Sequence, residues 1–124
     1  MTALIVFAHG SSVEPANDAV RHVSAELARQ GAYGLVQTAF LGGGKPELGD
    51  AIDVVVGAGA DRVIVLPYFL TLGLHLQRDL PDLVVAARHR HPGCIIEVTP
   101  PLDGHAGLVG ILLDRARTAL QEQS

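Results

Sequence analysis

Two histidines follow two separate runs of strand-forming residues, and their placement is the chain's clearest chemical signal. His9 ends Leu4-Ile-Val-Phe-Ala-His9-Gly-Ser-Ser12, and His75 ends Val63-Ile-Val-Leu-Pro67-Tyr-Phe-Leu-Thr-Leu-Gly-Leu-His75. Each follows a short, β-branched apolar run of the kind that forms a buried strand. Neutral imidazole ligates transition metals and titrates near physiological pH, so two imidazoles in one crevice could hold a metal ion or move a proton. A lone His-Gly-Ser is most simply a strand-to-helix turn. The second histidine at a matching position turns the pair into a candidate site.

Other groups fall near the same positions. Ser11 and Ser12 can cap a following helix, and Ser11 with Arg78 are the candidate contacts for an anionic ligand. Glu47 reads as a first-turn helix carboxylate that could also reach the crevice as a third metal ligand or a base. His105, at the start of the last helix, is a weaker third imidazole. Gly42-Gly43-Gly44-Lys45 lacks the spacing of a phosphate-binding loop and reads as a flexible connection. His89 and His91 flank a helix end, where cations favour its dipole. Arg88 and His22 read as surface groups, and Cys94 as an inert residue before a strand.

These residues need a scaffold, and the chain alternates strand and helix signals throughout. Strands are expected at Leu4–Ala8, Leu35–Phe40, Arg62–Leu66 and Ile95–Val98. Helices are expected at Pro15–Gln30, Glu47–Ala58, Asp79–Arg90 and His105–Gln121. Pro15 and Pro81 suit first helical turns, and residues 67–77 read as a long loop. The first helix shows an apolar face of Ala16, Ala19, Val20, Val23 and Leu27. The last shows a stripe of Leu108, Ile111, Leu112 and Ala116, and the polar tail after Leu120 is expected to fray. This alternation predicts a single α/β domain over residues 1–124. It would be flavodoxin-like, with a four-stranded parallel sheet in the order 2-1-3-4 and helices on both faces. In that order strands one and three are neighbours at the point where strand order reverses, which is where ligands bind in open parallel sheets.

Composition narrows the function classes. A 124-residue chain with 48% hydrophobic and 18% charged residues can build one compact core. A net charge of −4, a single lysine and no basic run argue against nucleic-acid binding. One cysteine excludes an internal disulfide and a Cys-rich zinc site. The longest uncharged apolar stretch is interrupted by Pro67 and Gly73 and is too short to span a membrane. With no basic leader before the first strand, a cytoplasmic location is expected.

Phe7-Ala-His9-Gly-Ser-Ser12, Ala39-Phe-Leu41 and Pro67-Tyr-Phe-Leu-Thr-Leu-Gly73-Leu-His75-Leu-Gln-Arg-Asp79-Leu-Pro81 together resemble the small CbiX-type class II chelatases. The likeness runs through Pro101-Leu-Asp-Gly-His105. These enzymes include sirohydrochlorin cobaltochelatases and ferrochelatases. The resemblance implies insertion of Co²⁺, Fe²⁺ or Ni²⁺ into sirohydrochlorin, a polycarboxylated tetrapyrrole, without ATP or an organic cofactor, in cobalamin- or siroheme-type biosynthesis. It implies His9 and His75 as the metal-binding and catalytic residues, and a homodimer. Where the family usually carries a glutamate after Ala39-Phe-Leu41, this chain has Gly42-Gly43, and Glu47 is the next carboxylate along. Two other readings are a noncatalytic metal- or tetrapyrrole-binding protein on the same scaffold and phosphoryl transfer through His9. The latter family expects arginine directly before the histidine, and this chain has Ala8.

Overall fold

The computed structural model describes residues 1–122. Its elements run β1 (Thr2–Ala8), α1 (Glu14–Arg29), β2 (Leu35–Phe40), α2 (Leu48–Gly57), β3 (Arg62–Pro67), α3 (Leu74–Arg90), β4 (Ile95–Val98) and α4 (Gly107–Glu122). The four strands form one parallel sheet in the order β2-β1-β3-β4, as the alternation of elements predicts. The direction in which successive strands are added reverses at β1. With right-handed crossovers this puts α1 on one face and α2 and α3 on the other.

The period-two pattern of a strand assigns each residue to a face. Ala3, Ile5 and Phe7 of β1 join Val63, Val65 and Ile96 in the main core. This core is roofed by Leu48, Ile52 and Val55 of α2 and Leu76, Leu80 and Val84 of α3. Ile52 and Val55 are fully buried, and truncating Ile52 to Ala would cost about 2–5 kcal/mol through lost transfer energy and a cavity. On the other face Leu4, Val6 and Ala8 are buried beneath α1. There Thr38 of β2 donates its hydroxyl to Ser24 of α1 at 2.6 Å.

Several local expectations change. Ser12 does not cap α1: Val13 holds the N-cap position without a side-chain bond, and the Ser11 hydroxyl accepts the Val13 N–H instead. Ala16 and Ala19 are exposed, and the buried positions of α1 are Asn17 and Ser24. The helix is rotated so that polar groups, not only apolar ones, meet the sheet. α3 begins five residues earlier than Asp79 and takes His75 out of the loop. Pro81 is then inside the helix, where its missing N–H leaves the Gln77 carbonyl without its helical donor. At the far end α4 continues through Glu122, so residues 121 and 122 stay helical, while Gln123 and Ser124 lie outside the described residues. No helix among the described residues is long and apolar enough to cross a membrane.

Candidate functional site

His9 is the first residue beyond β1, and its imidazole is exposed at the carboxyl edge of the sheet. The Tyr68 N–H donates to the Phe7 carbonyl at 2.7 Å, so the segment leaving β3 starts directly beside His9. That segment delivers Phe69, whose ring meets the His9 ring at 6.4 Å between centroids and the Phe7 ring edge-on at 5.8 Å. His75 follows as the second residue of α3 and is also exposed. His9 therefore lies at the switch point between β1 and β3, and His75 in the first turn of the helix that follows β3. Among the described residues neither imidazole has a hydrogen-bond partner. Their ring nitrogens are free to bind a ligand, and packing against Phe69 is what orients His9.

The loop carrying His9 is held by a polar knot that sequence reading missed. Asn17 is 1% exposed. Its Oδ1 accepts the Ser11 N–H at 2.9 Å. Its Nδ2 donates to the carbonyls of Ser11 at 2.9 Å and Gly43 at 3.1 Å, and to Glu14 at 3.3 Å. One amide thus stitches the turn after β1 to the loop after β2. The Gly42 N–H adds a bond to the His9 carbonyl at 3.0 Å. The loops approach so closely that a Cβ on Gly10 would lie 1.6 Å from the Gly42 carbonyl oxygen, and Gly10 has φ +86°. The glycine loop is consequently anchored rather than flexible. A signal for Asn17 was present: positions 17, 20, 24 and 27 share one helical face, and a polar residue on that face needs buried partners. Arg21 supports the same corner, lying over the Phe40 ring and pairing with Glu14 and Asp18. Its guanidinium holds the Glu14 carboxyl below the usual range.

The other candidates are distributed around this edge. Ser11 has its hydroxyl and N–H engaged in the turn. Arg78 lies one helical turn beyond His75, exposed and without an ion pair among the described residues. Glu47 occupies the N-cap position of α2 and pairs with Lys45 at 3.1 Å. It also lines a cavity of about 510 Å³ between α2 and α3, with Leu41, Asp50, Asp79 and Asp82. Four carboxylates give this cleft a negative field that favours cations. Neither histidine lines it. Among the described residues no three His, Cys, Asp or Glu side chains are grouped closely enough to hold a metal ion, so Glu47 is not gathered with His9 and His75. His105 precedes α4, where its Nδ1 accepts the Gly107 N–H at 2.8 Å.

The remaining polar groups have structural partners. His91 meets Asp53 of α2 at 2.6 Å, and this hydrogen bond, helped by Arg90, keeps the Asp53 carboxyl below its ordinary range. Arg88 is not simply solvated: its guanidinium donates twice to the Ile96 carbonyl of β4, at 2.6 and 3.0 Å. Burial raises the Cys94 thiol above its ordinary value, in line with an unreactive residue.

The chain and its fold have counterparts among known proteins. The chloroplastic sirohydrochlorin ferrochelatase of Arabidopsis thaliana is 30% identical over 117 residues, covering 94% of this chain and 52% of that protein. The sirohydrochlorin cobaltochelatase of Sulfolobus acidocaldarius is 28% identical over 120 residues, covering 97% and 94%. The chain thus spans about half the length of the first and nearly all of the second. Among solved structures, the sirohydrochlorin chelatase SirB of Bacillus subtilis subspecies spizizenii, in complex with cobalt, superposes with a TM-score of 0.86 at 21% identity. That match covers 94% of this chain and 50% of SirB. The family model described as CbiX matches residues 3–119, nearly the whole chain, and the protein is a member of the CbiX family.

Proposed function

We propose that this protein inserts a divalent metal ion, Co²⁺, Fe²⁺ or Ni²⁺, into a sirohydrochlorin-type tetrapyrrole without a nucleotide or organic cofactor, acting as a cytoplasmic homodimer. The observation that carries the reading is His9 at the β1/β3 switch point and His75 in the first turn of α3, neither with a hydrogen-bond partner among the described residues, in a CbiX-family chain. Metal insertion displaces two pyrrole protons, so the site must present a cation and accept two protons. Two neutral imidazoles suit borderline metals, and a set of only two protein ligands releases its ion more readily than a closed cage. As the metal leaves an imidazole, that ring nitrogen is free to take a pyrrole proton and pass it to water. Glu47 is the proposed third ligand; to serve, its side chain must swing away from Lys45. Arg78, exposed and without an ion pair among the described residues, would bind a substrate carboxylate, and the Ser11 hydroxyl would donate a hydrogen bond to the substrate.

A second reading has a specific observation in its favour. Gly42-Gly43 stand where a carboxylate is expected, and among the described residues no three His, Cys, Asp or Glu side chains are grouped closely enough to hold a metal ion. A protein that binds metal or tetrapyrrole without turnover fits those facts. Anaerobic absorbance of sirohydrochlorin with each metal separates the two. Accelerated metallation that is lost in both His9→Ala and His75→Ala supports the chelatase. Metal binding with no rate above the spontaneous one supports the binding protein. Loss in Glu47→Ala would place that carboxylate in the site.

A further inference from the structure

Lys45 is the only lysine in the chain, and its loop is held more firmly than the three preceding glycines suggest. The Gly42 N–H donates to the His9 carbonyl at 3.0 Å, and the Phe40 N–H to the Pro46 carbonyl at 2.9 Å. Between those bonds the Gly43 carbonyl accepts the Asn17 amide at 3.1 Å. The backbone on both sides of Lys45 is therefore fixed, while its side chain is 78% exposed. A long cationic side chain on an anchored base has less freedom to lose when it meets a ligand.

The sheet order gives that position its meaning. β1, which leads into His9, lies between β2 and β3. Lys45 follows β2 on one side of it, and Arg78 stands near the start of α3, after β3, on the other. Adjacent strands are about 4.8 Å apart, which puts the ends of β2 and β3 roughly 10 Å from each other. A flat ligand seated over His9 with carboxylates at its rim would meet a cation on either side. Glu47, Asp50, Asp79 and Asp82 in the neighbouring cleft repel such a ligand, so the two cations must supply the attraction locally.

Among the described residues Lys45 has one ionic partner, Glu47 at 3.1 Å. An exposed pair of this kind gains little over water, so an incoming carboxylate displaces Glu47 from the lysine at small cost. The displacement leaves the Glu47 side chain without its cation, which is the step that a metal-ligand role for Glu47 requires.

We infer that Lys45 is a substrate-binding residue: its ammonium takes a carboxylate of the tetrapyrrole across His9 from Arg78 and thereby releases Glu47 toward the metal. The lysine is held by one carboxylate or the other, so binding of the tetrapyrrole and completion of the metal's ligand set are linked. This assignment rests on the metallation reading proposed above and adds an order of events to it, with exchange at Lys45 before engagement of Glu47.

Separate titrations of the full chain with metal-free sirohydrochlorin and with Co²⁺, in the parent, Lys45→Met, Lys45→Arg and Glu47→Gln, test this. Lys45→Met should weaken sirohydrochlorin binding at least about fivefold through loss of a charge-assisted hydrogen bond, and Lys45→Arg should retain most of it. With no lysine to hold Glu47, the Met variant should bind Co²⁺ about two- to fivefold more tightly. Glu47→Gln should move the two affinities the other way, tetrapyrrole tighter and Co²⁺ weaker. In metallation, Lys45→Met should raise KM while kcat stays within about twofold of the parent. Equal sirohydrochlorin affinity in Lys45→Met and the parent overturns the assignment. So does a loss that Lys45→Arg fails to rescue, or a parallel weakening of both ligands, the mark of a disturbed loop. Unchanged Co²⁺ affinity in Lys45→Met overturns the link to Glu47. Lysine-dependent binding of sirohydrochlorin with metallation no faster than the spontaneous rate ends the chelatase reading and leaves the carboxylate contact standing. A parent that binds no sirohydrochlorin overturns both.

Discussion

Replacing Asn17 by Asp keeps the side chain's shape and removes its two donated protons. At neutral pH the carboxylate would face the Ser11 and Gly43 carbonyls and the Glu14 carboxylate, at the 2.9, 3.1 and 3.3 Å now spanned by hydrogen bonds. Only the bond from the Ser11 N–H would remain. Stripping two acceptors of their donor costs about 1–3 kcal/mol each, and repulsion adds to it. A loss of about 3–5 kcal/mol is expected, a large part of a typical domain's stability. Protonating the new carboxyl restores one donor, so its pKa in the folded chain lies above the unfolded value of about 3.9. Between those two values the folded variant binds more protons than the unfolded one. Its stability relative to the parent therefore falls as pH rises through that window, and the penalty is complete above the folded pKa. Urea unfolding of the parent, Asn17→Asp and Asn17→Ala at pH of about 4.5 and about 7.5 measures this, with each variant referred to the parent at the same pH. The Asp penalty should shrink by at least about 1 kcal/mol at the lower pH, while the Ala penalty stays constant. An Asp penalty that does not move with pH, or one below about 1 kcal/mol at neutral pH, would refute the assignment of donor and acceptor in the knot.

Two further perturbations probe neighbouring features. Gly10→Ala places a methyl group against the Gly42 carbonyl at φ +86°. Backbone strain alone costs about 1–2 kcal/mol, so the melting temperature should drop and metal binding through His9 should weaken. Gly42→Ala, where a Cβ meets nothing within 4 Å, should leave both nearly unchanged, and equal effects would remove the close-approach argument. Asp53→Asn removes a carboxylate whose pKa is lowered first by His91 and then by Arg90. A lowered folded pKa adds stability above the unfolded value and loses it as pH falls through the folded one. The parent should therefore exceed the variant by about 0.5 kcal/mol near pH 6, a modest amount because the pair is half-exposed, with the gap closing below about pH 4. A gap that widens in acid would contradict the assignment.

The sheet order was legible because it follows from apolar runs and crossover handedness, which are local or general rules. The start of α3 was not. Leu74-His75-Leu76 continues an apolar segment with no capping residue, since Gly73 at the N-cap makes no side-chain bond, and Pro81 pointed to a later start. The bonding of Arg88 to Ile96 depends on where α3 crosses the edge of the sheet, which no pattern along the chain encodes. Asn17 was readable in principle, but its value comes from Gly43, twenty-six residues away. That none of α4's residues is buried was also unreadable, because an apolar stripe reports only that a helix face will be covered and not by which molecule.

The guanidinium of Arg88 has a consequence for how this sheet ends. β4 pairs only with β3, so its outer side is a strand edge of the kind on which a foreign strand can template itself. A charged fork across the Ile96 carbonyl occupies an acceptor in the middle of a four-residue strand and sets a positive charge where an incoming backbone would have to lie. Sheet-to-sheet polymerisation through β4 is thereby obstructed by one side chain reaching down from α3. The hydrogen-bonding edge of the sheet thus stays closed to indiscriminate strand addition.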